Sequence, residues 1–564
     1  MKMGVKKRLG DMLLEEKKIN ISQLKVMLEK QKISGKKLGE ILIEEKLITE
    51  EEIIGVLERQ LGIERINVDL ISINDKVIAL LPEAVCSKYE LIPFSMEEGV
   101  IKVAMWDPLN IFAIDDIVIA TGLKVEPYIC ARRDIKRAIE RYYSNQQVIK
   151  AAEELSKEKQ GTVKISAKSI ETEFDDIKNA PVVKMVDYLI KSAIDVKASD
   201  IHIEPYENTI RIRYRIDGEL HQVSTISIDA LQALVTRIKI LSNLNIAEKR
   251  LPQDGRIIMT VGDKNVDLRV SILPMISGEK VVIRILDKES YDVSKESLGL
   301  SSMEMETVNR IVGQPYGIIL VTGPTGSGKS TTLYSLLKDL NTENKNIITI
   351  EDPVEYTMEG INQVNVNSKI GLNFASGLRS ILRQDPDIVM IGEIRDGETA
   401  EIAIRAAITG HLVLSTLHTN DAPSSMVRLT DMGIEPYLVA TAITGVIAQR
   451  LVRRICPKCG YDYEAEEYEK RLLNVDEEEQ LILSKGKGCP YCNGTGYVGR
   501  IGVYEIMEIT PEHRKIIAKN PGIEALRQVA IKNGMKPLAL SCRDHVLSRT
   551  TTLDEMMKIA YLRD

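Results

Sequence analysis

The chain is poor in aromatics, with one Trp and four Phe in 564 residues and 4% aromatic overall. A stacking path for single-stranded nucleic acid interleaves basic and aromatic side chains, and no such strip is present. Positive charge is not in excess: 75 Lys and Arg face 82 Asp and Glu, and the net charge of −7 gives no footprint for a polyanion. No apolar run reaches the ~18 residues of a membrane span, and no charged-then-apolar start ends in a small-residue cleavage site. A cytoplasmic protein is therefore expected. Seven cysteines do not make a disulfide framework at this length. What is present is an ordinary globular composition, 44% hydrophobic and 28% charged, in a chain long enough for roughly three or four domains.

Hydrophobic spacing divides the chain. Residues 1–62 carry Leu and Ile at helical intervals and contain a repeat: RLGDMLLEEKKI from Arg8 returns as KLGEILIEEKLI from Lys37, 29 residues later. Residues 63–145 have short apolar strands and a closing helix, the texture of an α+β module. Residues 146–178 are polar and read as a linker. Alternating segments such as TIRIRYRID and VDLRVSIL place half-buried strands in a further α+β module over 179–290. From 291 to 564 strands and helices alternate, which predicts a parallel sheet covered on both faces.

That last region holds GIILVTGPTGSGKSTTLYSLL, a buried strand ending at Thr322 and a helix beginning near Lys329. Between them Gly323, Pro324, Thr325, Gly326, Ser327, Gly328, Lys329 and Ser330 fit GxxxxGK[ST], with Thr331 following. Glycines let backbone N–H groups close on phosphate oxygens, Lys329 is placed for the β and γ phosphates, and the Ser330 hydroxyl for Mg²⁺. Asp352 and Glu355 follow one apolar strand, Glu393 a second and His418 a third. Ligands of open α/β sheets sit beyond the carboxyl ends of strands, so these groups can converge on the phosphates. One carboxylate would hold the metal while another orients water, and His418 is placed to sense the γ-phosphate.

Cys456 and Cys459 form CPKC, and Cys489 and Cys492 form CPYC. Two such pairs suit a closed tetrahedral Zn²⁺ site within about 450–505, and the second pair argues against a redox role for the first. Cys86, Cys130 and Cys542 have no partner spacing and are expected as buried small residues.

The blocks GPTGSGKST, ITIEDPVEY, LRQDPDIVMIGEIRD and TGHLVLSTLHTNDA resemble, in order and spacing, the ATPases of type II secretion and type IV pilus assembly. The resemblance implies a multidomain α/β protein: a RecA-like P-loop core, a preceding PAS-like α+β domain, a zinc subdomain and an N-terminal helical/α+β domain. It implies catalytic roles for Lys329, for Glu355 as the water-activating base and for Glu393 as the metal-side carboxylate, with ATP and Mg²⁺ as cofactors. It implies a homo-hexamer in which Arg256, Arg269 or Arg284 reaches a neighbour's nucleotide, a charge suited to a transferring phosphoryl group. The implied partners are an inner-membrane platform protein and pilin or pseudopilin, with the motor peripheral at the inner face of the membrane and no direct nucleic-acid partner. Pilus-retraction ATPases generally lack the zinc insertion.

The N-terminal repeat is similar to tandem 24-residue motifs that bind cyclic di-GMP in some of these ATPases. Arg8, Leu9, Gly10, Leu13, Leu14, Ile19, Leu24, Leu28 and Gln31 fit the first copy. Lys37, standing where the motif has arginine, Leu38, Gly39, Leu42, Ile43, Ile48, Leu57 and Gln60 fit the second. The motif's middle glycine is Lys17 in one copy and Lys46 in the other, a costly exchange if the position needs positive φ. Two other readings stay open: a DNA translocase or competence-type motor, and a second-messenger-responsive scaffold with weak hydrolysis.

Overall fold

The computed structural model describes residues 9–143, 181–261, 264–286, 294–519 and 522–560. Arg8 and the 146–178 linker lie outside them. The chain forms two compact units. One holds Met1–Ile257, Arg269–Arg284 and Gly488–Thr495; the other holds Ile258–Leu268, Ile285–Lys487 and Gly496–Asp564.

The repeat folds as two helical hairpins, α1 (Leu9–Glu15) with α2 (Ile21–Ser34) and α3 (Leu38–Glu44) with α4 (Glu50–Leu61). Each second helix starts with a reciprocal cap. Asn20 Oδ1 accepts the Gln23 N–H at 2.8 Å while the Gln23 side chain accepts the Asn20 N–H at 2.9 Å, and Thr49 and Glu52 repeat the exchange. Equivalent residues fill one shared core: Leu13 and Leu42, Ile19 and Ile48, Met27 and Val56 are all buried. The copies face each other about a pseudo-two-fold axis. A Cβ on Gly10 would stand 3.5 Å from Leu38, and one on Gly39 3.7 Å from Leu9. Likewise Lys30 pairs with Glu45 and Arg59 with Glu16, each at 2.6 Å. Equivalent residues exchanging the same contacts is the mark of an isologous interface, here within one chain.

Each first helix ends in the same turn. Lys17 N–H donates to Leu14 O and Lys18 N–H to Leu13 O; Lys46 and Leu47 make the matching bonds to Ile43 and Leu42. These are Schellman turns, whose penultimate position is left-handed. Lys17 (φ 57°) and Lys46 (φ 56°) occupy it, so the position where the related motif has glycine does take positive φ.

The remainder of the N-terminal region carries a three-stranded sheet, β1 (Leu91–Glu97), β2 (Val100–Met105) and β3 (Lys124–Ile129), in that order. The next module begins with the Pro181–Asp195 helix and builds a six-stranded sheet. Its strands are β4 (Asp200–Pro205), β5 (Thr209–Ile216), β6 (Glu219–Ser227), β7 (Gln253–Val261), β8 (Lys264–Met275) and β9 (Gly278–Leu286), in the order β6-β5-β4-β9-β8-β7. Alternation sets its faces: Ile210, Ile212 and Tyr214 of β5 are buried, and the Tyr214 hydroxyl bonds Leu189 O at 2.8 Å to fix the helix.

The C-terminal region is built on a seven-stranded sheet of β10 (Gly317–Thr322), β11 (Ile347–Glu351), β12 (Asn362–Asn365), β13 (Ile388–Ile391), β14 (Leu412–Leu417), β15 (Ile443–Ile455) and β18 (Tyr497–Glu508). A hairpin of β16 (Gly460–Glu464) and β17 (Ile482–Gly486) lies between β15 and β18 in sequence. The order is β12-β11-β13-β14-β10-β15-β18. All neighbours are parallel except β15 and β18, which run antiparallel, so the expectation of a parallel sheet is corrected at one edge. The physical reason is the connection: the cysteine-bearing excursion brings the chain straight back beside β15, and a parallel return would need a crossover. β10 and β14 are buried along their whole length, as central parallel strands are.

Candidate active site

The phosphate loop lies where the motif predicts, between β10 and a helix spanning Lys329–Leu340. Two of its glycines are imposed by the backbone behind them. Gly323 (φ 147°) has no room for a Cβ, which would fall 2.5 Å from Gln449 O and 2.6 Å from Ser327 Oγ. At Gly328 (φ 88°) a Cβ would fall 2.8 Å from Gln449 Nε2. Pro324, Thr325, Gly326 and Ser330 are exposed, and Thr331 is half-buried. Lys329 Nζ donates to Gly323 O at 2.8 Å and Pro324 O at 3.0 Å, which folds the ammonium over its own loop. Burial lowers its pKa, the Glu393 charge opposes this and the Arg450 charge adds to it. Ser327 Oγ is buried with no hydrogen-bond partner among the described residues. A phosphate oxygen would satisfy an orphan hydroxyl inside a loop of N–H donors, so these residues fit a nucleotide.

Of the strand-end groups, Glu393 and His418 meet. Glu393, mostly buried after β13, accepts from Arg395 and lies 3.1 Å from His418 Nε2. Burial raises its pKa, but the bonds from Arg395 and His418 outweigh that and hold the carboxyl below its usual range. Asp352 is exposed after β11, and its charge acts on Arg395. Glu355 is half-buried, its N–H donating to the Tyr334 hydroxyl at 3.2 Å. The β10 and β14 ends are stitched by Thr322 Oγ1, which bonds Thr419 O at 3.0 Å and meets Thr419 Oγ1 at 2.6 Å.

Several participants were not singled out from the sequence. Glu351, buried at the end of β11, accepts from Tyr334, from Thr349 at 2.6 Å and from Gln363 at 3.3 Å, while burial raises its pKa. Because Tyr334 lies on the helix of the phosphate loop, this network anchors the Asp352–Glu355 segment to that loop. Gln449 and Arg450 form a polar pair within the buried run of β15, and that interruption of an apolar strand was the available signal. Gln449 Oε1 accepts from Thr332 at 2.7 Å. The three arginine candidates stand on the six-stranded sheet, in the other compact unit: Arg256 on β7, Arg269 on β8 and Arg284 on β9. Arg284 Nε bonds Asp200 Oδ1 at 3.1 Å.

The sulfurs of Cys456, Cys459, Cys489 and Cys492 all lie within 4.8 Å of one another. Tetrahedral Zn–S bonds of about 2.3 Å require S···S separations near 3.8 Å, and Cys489 and Cys492 stand at 3.7 Å, so the set fits zinc. Cys86, Cys130 and Cys542 are buried, which pushes each thiol up to about 12 and leaves it inert.

A phosphate loop closing β10, with acids and a histidine at the ends of β11, β13 and β14, defines a RecA-like P-loop nucleotide hydrolase. The family model for type II/IV secretion system proteins matches residues 175–558, and the MshEN domain model matches residues 61–149. The chain is 42% identical over 568 residues to the type IV pilus assembly ATPase PilB of Myxococcus xanthus, covering 98% of each. It is 46% identical over 385 residues to the type II secretion system ATPase E of Vibrio cholerae, covering 68% of this chain and 76% of that one. The crystal structure of the Yersinia pseudotuberculosis ATPase DotB shares the fold at TM-score 0.51 and 19% identity, over 71% of this chain and 97% of that one. The chain belongs to the type II/IV secretion system protein family and is an ATPase. Among the described residues no helix is long and apolar enough to cross a membrane.

Proposed function

We propose that this motor ATPase drives assembly of a type IV pilus, working as a homo-hexamer against an inner-membrane platform protein and adding pilin subunits. The alternative within the family is the type II secretion pseudopilus. The pilus reading is supported by the relative aligned over 98% of both chains, N-terminal region included. The observation that carries the chemistry is the meeting of Glu393, Arg395 and His418 beside a phosphate loop whose buried Ser327 hydroxyl has no partner among the described residues.

In this reading Lys329 leaves its loop carbonyls for the β and γ phosphates, Ser330 and Glu393 take the Mg²⁺ side, and Glu355 activates water. Bound Mg²⁺ supplies charge neutralisation at the phosphates. His418 reports on the γ-phosphate through Glu393. Arg256, Arg269 and Arg284 are candidates to complete a neighbour's site. Cys456, Cys459, Cys489 and Cys492 hold a structural zinc, and the repeat receives cyclic di-GMP across its pseudo-two-fold axis. A two-fold ligand matches a two-fold site.

The test is ATP turnover by the purified full chain with Mg²⁺, beside Lys329→Ala. Expected is steady hydrolysis that the substitution abolishes. Equal turnover by both proteins would refute the site. Zinc is checked separately by metal analysis, which should return one zinc per chain and none in Cys489→Ser.

A further inference from the structure

Three consecutive residues just after His418 are each held by a charged side chain from a different element. Asn420 is held by Arg450 of β15, which is 7% exposed: Nη2 donates to Asn420 O at 3.0 Å and to Oδ1 at 3.2 Å. Asp421 accepts from Arg527, on the Ile523–Lys532 helix, at 2.5 Å. Ala422 N–H donates at 2.9 Å to Glu505 of β18, whose other oxygen accepts the Leu538 N–H at 3.2 Å.

Arg450 differs from the other two because it also touches the phosphate loop's support. Nη1 donates to Gln449 O at 3.1 Å, the carbonyl that leaves Gly323 no room for a Cβ, and it lies 3.2 Å from where that Cβ would stand. Its charge is felt at Lys329. Burying a guanidinium is costly unless its donors are used, and here one set goes to Asn420 and another to the neighbouring Gln449 carbonyl that backs the phosphate loop.

We infer that Arg450 is a positioning residue for ATP turnover, clamping Asn420 to the floor of the phosphate loop so that His418 stays set against Glu393. This rests on the nucleotide-site reading above. Lysine at 450 keeps the charge but cannot span both acceptors with a planar fork.

Steady-state ATP hydrolysis by the full chain tests it. Arg450→Lys is expected to lower kcat about ten-fold or more while KM for ATP stays within about two-fold, because a positive charge stays beside the phosphate loop and the reacting geometry loosens. Arg450→Met, which also removes the charge, should raise KM as well. Asn420→Ala deletes only the Oδ1 bond and should give a smaller loss of the same kind, in kcat and not KM. It also decides the matter if both Arg450 variants fail to fold. Wild-type kcat in Arg450→Lys, or in Asn420→Ala when the former cannot be made, overturns the inference, as does a rise in KM alone. Lys329→Ala separates the two claims: if it retains turnover, the nucleotide-site reading has failed, whatever Arg450 does.

Discussion

The phosphate loop and the N-terminal repeat both turn the chain through left-handed backbone, and they fill those turns differently. In the loop the residues are Gly323, Gly326 and Gly328; in the repeat, Gly35 and Gly62 end the second helices, but Lys17 and Lys46 end the first. Surroundings separate the cases. Behind Gly323 and Gly328 stands Gln449, so a Cβ would collide as well as strain the backbone. Lys17 and Lys46 are exposed, so each carries only the strain of a left-handed side chain, about 1–2 kcal/mol. Gly323 and Gly328 are geometric necessities, Gly326 has open space around it, and the lysines are strained residues found identically in two copies. Strain kept twice at the same register points to use of the charge.

The largest effects fall on the loop side of this comparison. Glu355→Gln keeps the hydrogen-bonding outline and removes the proposed base; kcat should fall at least about a hundred-fold while ATP binding, read by titration with a fluorescent analogue, persists. Near-normal turnover would release Glu355 from its role. Gly328→Ala should cost about 3 kcal/mol in denaturant unfolding of the ATPase core, combining left-handed strain with overpacking against Gln449, and abolish nucleotide binding with it. If the variant unfolds like the parent, the contrast with the lysines collapses.

Sequence pattern carried unequal distances in these two regions. The junction of β10, loop and helix was legible to the residue because a phosphate cradle demands a fixed run of residues, so Thr322 and Lys329 bound it in the structure as they do in the motif. The repeat was legible as one helical pattern written twice, and equivalent positions such as Leu13 and Leu42 share one core. Its pseudo-symmetry was not, because Lys30–Glu45 and Arg59–Glu16 are contacts between copies and local periodicity says nothing of them. The same limit hid Tyr334 and Glu351, residues 17 apart in sequence that meet only once helix and strand are packed. It also hid the antiparallel β18, decided by where the cysteine excursion returns. Motifs report what a ligand needs from consecutive residues; they do not report which distant side chain steadies it.

On the repeat side the expected effects are smaller and of opposite sign. Lys17→Gly and Lys46→Gly should each stabilise the chain by about 0.5 kcal/mol, since relief of left-handed strain is offset in part by glycine's larger unfolded-state entropy. Thermal unfolding of the N-terminal transition would show it. Under the cyclic di-GMP proposal the double variant should bind the dinucleotide more weakly despite melting higher, because two phosphate-directed charges are gone. A higher melting point with unchanged binding would mean that the lysines are tolerated, not used.

The finest test concerns what holds the copies together. Lys18 of the first copy pairs with Glu52 of the second at 2.5 Å, and the bonds from Lys18 and Thr49 lower that carboxyl to about 2. A depressed carboxyl pKa stabilises the fold above its unfolded value of 4.5, and that contribution is lost as pH falls from 4.5 toward about 2. The pair is exposed, so the expected change is a slight drop in the repeat's melting temperature between pH 5 and pH 3 that Glu52→Gln removes and high salt blunts, as screening requires. The lysine-to-glycine changes act through backbone strain and should not respond to salt. A salt-insensitive loss at low pH would place the acid-labile contact elsewhere in the region.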